Sequence, residues 1–150
     1  MEKVELRTIN ADNFEECIRL KVSDAQKSFV ASNIYSLAQA WVYYKTAWPF
    51  AIYAGDTMVG FVMLGFYAEK SQYTIWRFMI DARFQNKGYG RAALTLAIQY
   101  LSDEHHVGEI YLSYEPDNIV AEKLYESFGF VKTGEVCHGE LEMRLAIKNR

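Results

Sequence analysis

Cysteine, proline and histidine are scarce in this 150-residue chain, which holds two, two and three of them. Two cysteines, Cys17 and Cys137, make a poor disulfide framework, and they lack metal-ligand spacing, so no metal is expected. With so little proline, no Gly/Ser tract, no charge block and no internal repeat, nothing marks a linker, and residues 1–150 read as one domain. No apolar run approaches the roughly 20 residues of a membrane span. The start, Met1-Glu2-Lys3-Val4-Glu5-Leu6, lacks the charged-then-apolar plan of a signal peptide. Reduced thiols and a cytoplasmic location are the expectation. Sixteen basic residues stand against nineteen acidic ones, a formal charge of −3. That balance argues against nucleic acid as a partner and is compatible with a cationic small molecule, because acidic groups raise the local concentration of amines.

What the chain does have is concentrated in two stretches. The first is Arg83-Phe84-Gln85-Asn86-Lys87-Gly88-Tyr89-Gly90-Arg91. A β-branched and aromatic run, Tyr73 to Asp81, leads into it, and Leu94, Ala97, Ile98 and Leu101 leave it at helical spacing. A strand therefore feeds a basic, glycine-bearing turn that opens a helix. Exposed amides and the positive dipole end of such a helix attract phosphate. Gly88 and Gly90 allow a ligand close to the backbone, and Lys87 and Arg91 add charge. On these residues alone, Gly88-Tyr89-Gly90-Arg91-Ala92-Ala93 also satisfies the dinucleotide pattern G-x-G-x-x-A, with Glu115 as a loose match for its acid. A plain strand-to-helix turn is the bland alternative.

The second stretch runs from Asn118 to Phe130, after the strand-like Ile110 to Tyr114. Asn118 suits a helix start, and Gly129 suits the left-handed residue that ends one. Asn118 and Tyr125 are seven apart, hence on one helix face and about 10.5 Å apart along its axis. Together Q-x-x-G-x-G and N-x-x-A-x-x-L-Y-x-x-x-G-F, in this order and separation, resemble the signature of the GNAT acyl-CoA N-acyltransferase superfamily.

The remaining elements fit the fold this resemblance implies. Val4 to Ile9 reads as a strand, and Asp12-Asn13-Phe14-Glu15 as a capping box opening a helix through Val22, with Ile18 and Leu20 inward. Ser23 to Tyr35 has no clear period. A helix is expected over Ser36 to Tyr44 and a strand over Phe50 to Tyr53, bounded by Pro49. Gly55-Asp56 turns into the nearly continuous apolar run Met58 to Tyr67, which reads as a strand buried on both faces. His138-Gly139 separates two last strands, Phe130 to Cys137 and Glu140 to Ile147. The fold class is α/β (α+β): a mixed, partly splayed central sheet flanked by helices, in the order β-α-α-β-β-β-α-β-α-β-β. A doubly wound sheet is the alternative from pattern alone.

The resemblance implies acetyl-CoA as cosubstrate and an amine as acceptor. It places the pyrophosphate on the backbone of Gln85, Asn86, Lys87, Gly88, Tyr89 and Gly90, with Lys87 and Arg91 nearby. The pantetheine arm would pair with the main chain of Phe78, Met79 and Ile80 and bond to Asn118. Tyr125 holds the family's tyrosine position and is the expected general acid, since a phenol with a pKa of about 10 can hydrogen-bond a departing thiolate. An alkylammonium has a pKa of about 10.4 and must lose a proton before it attacks. Glu115 is the first candidate base, followed by Asp81 and Glu69.

Gln26 to Asn33 with Ser36-Leu37-Ala38, and Arg77 to Asp81, are similar to bacterial spermidine/spermine N-acetyltransferases. That resemblance makes polyamines the leading acceptor class, although Asp24 is the one carboxylate of the first segment. Phe29, Tyr35, Trp41 and Trp76 are candidates for an apolar slot around a methylene chain or for cation–π contact with an ammonium. Other amines (aminoglycosides, amino acids, protein N-termini) and a non-catalytic acyl-CoA-binding module are the alternatives. Related enzymes are often dimers, so a homodimer is expected.

Overall fold

The computed structural model describes residues 2–148. Seven strands form a single sheet in the order β1-β2-β3-β4-β5-β7-β6. They are β1 (Val4–Thr8), β2 (Ala47–Ala54), β3 (Thr57–Tyr67), β4 (Gln72–Ile80), β5 (Glu109–Tyr114), β6 (Val131–Cys137) and β7 (Glu140–Ala146). Four helices flank them: α1 (Phe14–Arg19), α2 (Asn33–Val42), α3 (Tyr89–His105) and α4 (Ile119–Ser127). This is the element order expected from the sequence.

Alternation along the central strands builds two cores. Val59, Val62 and Leu64 of β3 join Ala93, Leu94, Ala97 and Leu101 of α3 on one face. Met58, Phe61 and Met63 join Cys17, Leu20 and Ala40 on the other. β3 is thus buried from Met58 to Gly65, as its unbroken apolar run requires. A bulge keeps both faces filled: Ile52 pairs with Gly60 but Tyr53 with Met58, leaving Val59 as the extra residue. Gly60 beside it is obligatory, because a Cβ there would stand 2.4 Å from the Met79 carbonyl oxygen.

Four local expectations are corrected. The Asp12 capping box does not form. The Asn13 side chain accepts from the Asn10 amide and the Asn10 side chain from the Asp12 amide, each at 2.8 Å, and this pair of turns delays α1 until Phe14. Its buried residue is Cys17, with Ile18 only half-buried. Within the stretch that lacked a period, Asp24–Phe29 forms a 3-10 helix, whose three-residue repeat a search for helical spacing misses. α2 begins at Asn33, earlier than expected, where Ser32 caps it by accepting from the Tyr35 amide at 3.1 Å. Lastly, β2 runs through Pro49, which lies beyond the Thr8–Phe50 pair that ends β1, so its missing N–H costs no ladder bond.

The site depends on what happens between β4 and β5. They run parallel and are paired only at Tyr73–Ile110 and Thr74–Tyr111. Past this point they diverge. A second bulge contributes: Met63 pairs with Arg77 and Leu64 with Ile75, leaving Trp76 extra in β4. Bulging bends and twists a strand, here beside the opening.

Candidate active site

Between the splayed strands lies a cleft of about 600 Å³, within the range of small-molecule sites. One wall is β4 from Ile75 to Ile80, and the other is Ser113 and Tyr114 of β5 with the inner face of α4. One end is closed by Phe84, Gln85, Asn86, Tyr89 and Gly90, where the chain turns from β4 into α3. Val22, Gln26 and Ser28 to Ala31, in and beside the 3-10 helix, line it as well, and so do His138 and Glu140 at the β6–β7 hairpin.

The turn into α3 is shaped by left-handed residues: Asn86 has φ 63° and Gly88 φ 88°. Gly88 is the N-cap and offers no side chain to the first amides of α3, so those donors stay available to an anion. Gly90 faces the cleft: a Cβ there would meet Ile80, Phe78 and Leu124 at 3.7 to 4.0 Å, ordinary contact distances. The Gln85 carboxamide is turned inward, donating to the Ile80 carbonyl and to Gln26 Oε1, each at 2.9 Å.

Lys87 and Arg91 are exposed and do not line the cleft, nor does Gly88. The Arg91 guanidinium donates to Ser127 Oγ at 2.9 Å and lies over the Phe128 ring, tying the start of α3 to the end of α4. Phe78, Met79, Ile80, Gln85, Asn86, Tyr89, Gly90, Asn118 and Tyr125 are brought together around one cavity.

Asn118 caps α4, its side-chain oxygen accepting from the Ala121 amide at 3.3 Å. Two helical turns further, Tyr125 is held in edge-to-face contact with Tyr114 and Phe130, at 6.2 and 5.9 Å between ring centroids. Burial, and then the negative charge of Glu140, push the Tyr125 hydroxyl far above the ordinary phenol value. Tyr125 therefore keeps its proton across the physiological range and is available as a donor.

The acids named from the sequence sit elsewhere. Glu115 is half-buried but outside the cleft lining, because the chain leaves the sheet there. Its carbonyl accepts from the Asn118 amide at 2.9 Å in the turn into α4. Asp81 is buried and engaged: it accepts from the Lys21 amide at 2.9 Å and from the Arg83 amide and Nε at 2.9 and 2.8 Å. Burial alone would raise its carboxyl, but these bonds outweigh it and hold the group below the usual carboxylate range. Glu69 accepts from the Tyr67 hydroxyl on an exposed turn away from the cleft.

Among the described residues that line the cleft, the one carboxylate is Glu140. No motif along the chain marks it; strand register places it there. β7 inserts beside β5 with Leu141 opposite Tyr114, which brings Glu140 abreast of the end of β5. There its Oε1 accepts from Ser113 Oγ at 2.9 Å. Arg77 is the cation of the lining, donating to Gln39 Oε1 of α2 and to the Trp76 carbonyl, each at 3.0 Å. Burial lowers its pKa and Glu140 opposes that shift. Of the aromatic residues considered for an apolar slot, Phe29 and Trp76 line the cleft, whereas Tyr35 and Trp41 are exposed.

The comparisons with known proteins agree with this geometry. Residues 14–130 match the acetyltransferase (GNAT) family model. The spermine/spermidine N(1)-acetyltransferase of Bacillus subtilis (strain 168) is 35% identical over 141 residues, covering 89% of this chain and 91% of its own. The crystal structure of spermidine N-acetyltransferase from Vibrio cholerae in complex with CoA and spermine superposes with a TM-score of 0.76 at 19% identity, over 96% of this chain and 94% of that one. A domain from Methanocaldococcus jannaschii DSM 2661 gives 0.78 at 18%, over 98% and 100%. The two structural likenesses speak for the fold. With an amide-bearing turn at one end of a splayed cleft, a buried tyrosine along its wall, and a family model spanning most of its length, the chain belongs to the GNAT family of acetyltransferases, whose acetyl donor is acetyl-CoA.

Proposed function

We propose that the protein transfers the acetyl group of acetyl-CoA directly to a primary amine of a polyamine such as spermidine or spermine. The observation that carries the substrate class is the 35% identity to the Bacillus subtilis enzyme along nearly the whole of both chains.

Bound acetyl-CoA supplies an acetyl group activated as a thioester. The amides of the Gln85–Gly90 turn and the first turn of α3 bind its pyrophosphate, with Lys87 and Arg91 adding positive potential from outside the cleft. Main-chain groups of Phe78, Met79 and Ile80 pair with the pantetheine arm in the manner of an added strand, and the Asn118 amide group contacts it from α4. A β4 amide near Met79 or Ile80 holds the thioester oxygen. The Tyr125 hydroxyl hydrogen-bonds the departing sulfur, a role that the buried, protonated phenol at the cleft wall supports. As an enzyme, the protein is proposed to be cytoplasmic. No helix among the described residues is long and apolar enough to cross a membrane, and both cysteines are free thiols. The same proposal covers a homodimer, for which the exposed Ile34, Trp41 and Tyr44 on and just after α2 are the support.

The test is thiol release from acetyl-CoA across a panel of amines with a no-acceptor control. Turnover concentrated on spermidine, spermine and diamines is expected. Preference for aminoglycosides, amino acids or a peptide N-terminus would replace the substrate class. Tight binding of acetyl-CoA without turnover of any amine would sink the enzyme reading.

A further inference from the structure

A polyamine brings to the cleft one nitrogen that must be neutral to attack and at least one more that stays charged. A carboxylate stabilises the charged form, so an acid fixed in the cleft suits the nitrogen that does not react. Glu140 is the one carboxylate in the described lining. It is close enough to Tyr125 and Arg77 for its charge to be felt at both. The Ser113 hydroxyl fixes one of its oxygens, which leaves the remaining lone pairs for a ligand. Phe29 and Trp76 give the same cavity apolar surface for a methylene chain.

Resting on the polyamine reading above, we infer that Glu140, positioned by Ser113, is the ammonium anchor of the acceptor site: it binds the non-reacting ammonium of the polyamine and so determines the preference for multiply charged amines. Arg77 sharpens the dependence. With Glu140 charged the carboxylate offsets the guanidinium; without it the lining keeps a guanidinium and no described carboxylate, which repels cations. The loss on removing Glu140 therefore grows with substrate charge. Spermine suffers most, spermidine less, and a simple alkylamine, which has no second ammonium to hold, hardly at all.

The experiment compares wild type with Glu140→Gln, using spermine, spermidine and butylamine as acceptors. Glutamine keeps an oxygen to accept from Ser113, removes the charge and exchanges the second oxygen for an amide NH2 that cannot accept from an ammonium. A fall in kcat/KM of about 10- to 100-fold is expected for spermine, the range of a charge-assisted hydrogen bond, with less than about 3-fold for butylamine. Acetyl-CoA affinity by calorimetry should stay within about 2-fold, which separates the anchor from general damage to the cleft. Ser113→Ala should cost spermine less than Glu140→Gln does, because it loosens the carboxylate without discharging it. An equal loss for butylamine and spermine would place Glu140 at the reacting nitrogen and overturn the anchor. An undiminished polyamine preference in Glu140→Gln would overturn the anchor and leave the polyamine function standing. If the wild type itself favoured monoamines, the polyamine reading would fall, and the anchor with it.

Discussion

Gln26 and Gln85, 59 residues apart, are joined by a 2.9 Å hydrogen bond from Gln85 Nε2 to Gln26 Oε1. The same carboxamide donates to the Ile80 carbonyl, and the same Gln26 oxygen accepts from the Ser23 amide at 3.3 Å. One side chain thus ties the end of β4, the turn into α3 and the 3-10 segment into a single unit. Two separate segments of the cleft lining are thereby held to one another.

Replacing Gln85 with Ala removes both donated bonds and leaves the Ile80 carbonyl without that partner. At about 1 kcal/mol per bond, about 2 kcal/mol for the pair, acetyl-CoA should bind up to roughly 30-fold more weakly by calorimetry, with a smaller rise in the acceptor KM. Gln26→Ala should show the reverse emphasis. Equal acetyl-CoA affinities for wild type and Gln85→Ala would show that the turn keeps its shape unaided.

Tyr125→Phe keeps the ring contacts with Tyr114 and Phe130 and removes the hydroxyl. A drop in kcat of about 100-fold or more is expected, with acetyl-CoA affinity nearly unchanged. Because burial raises the folded-state pKa of Tyr125 above that of an unfolded tyrosine, the native protein keeps a proton that the unfolded chain loses above about pH 10. This contribution to stability is complete below that pH and lost above it. Tyr125→Phe should therefore resist alkaline unfolding better than wild type, a comparison that denaturant titrations at pH 8 and pH 11 settle.

Gly90 separates folding from binding. Its Cβ position is uncrowded and faces the cleft, and it lies in the first turn of α3. Gly90→Ala should hold or slightly raise the melting temperature, given the helix preference of alanine of up to about 1 kcal/mol. Gly90→Trp should stay folded by circular dichroism and lose acetyl-CoA binding. Retained affinity in the folded tryptophan variant would refute the assignment of this turn.

Asp81→Asn tests the buried carboxylate. The variant should be less stable by about 1 to 3 kcal/mol at pH 7, through weaker bonds to Arg83 and the Lys21 amide. The folded-state pKa of Asp81 is depressed, so its contribution exists above the unfolded value of about 3.9 and is lost as pH falls through the lower folded value. Urea midpoints of the two proteins should converge on acidification below about pH 4. A difference that persisted there would point to packing instead of charge.

Two kinds of information were divided between sequence and structure. Features written within a few consecutive residues were legible. The glycine turn before α3, the Asn118 to Gly129 helix, the doubly buried β3 and the order of eleven elements all follow from periodicity, capping and turn chemistry. Each of these depends on neighbours along the chain. They were enough to bring the expected cofactor residues to one cavity, Lys87, Gly88 and Arg91 at its outside. What sequence could not supply was register. Trp76 becomes a bulge only because Met63 takes Arg77 as its partner and Leu64 takes Ile75. The cleft itself exists because β4 and β5 pair at two residues and then part. Glu140 lines it because β7 lies between β5 and β6 with Leu141 opposite Tyr114. Glu115, which a reading along the chain favours, is instead the first residue of a turn. Such placements depend on which distant strands pair and by how many residues they are offset. A one-residue slip sends every side chain to the other face, so the tertiary structure alone decided which acid enters the site.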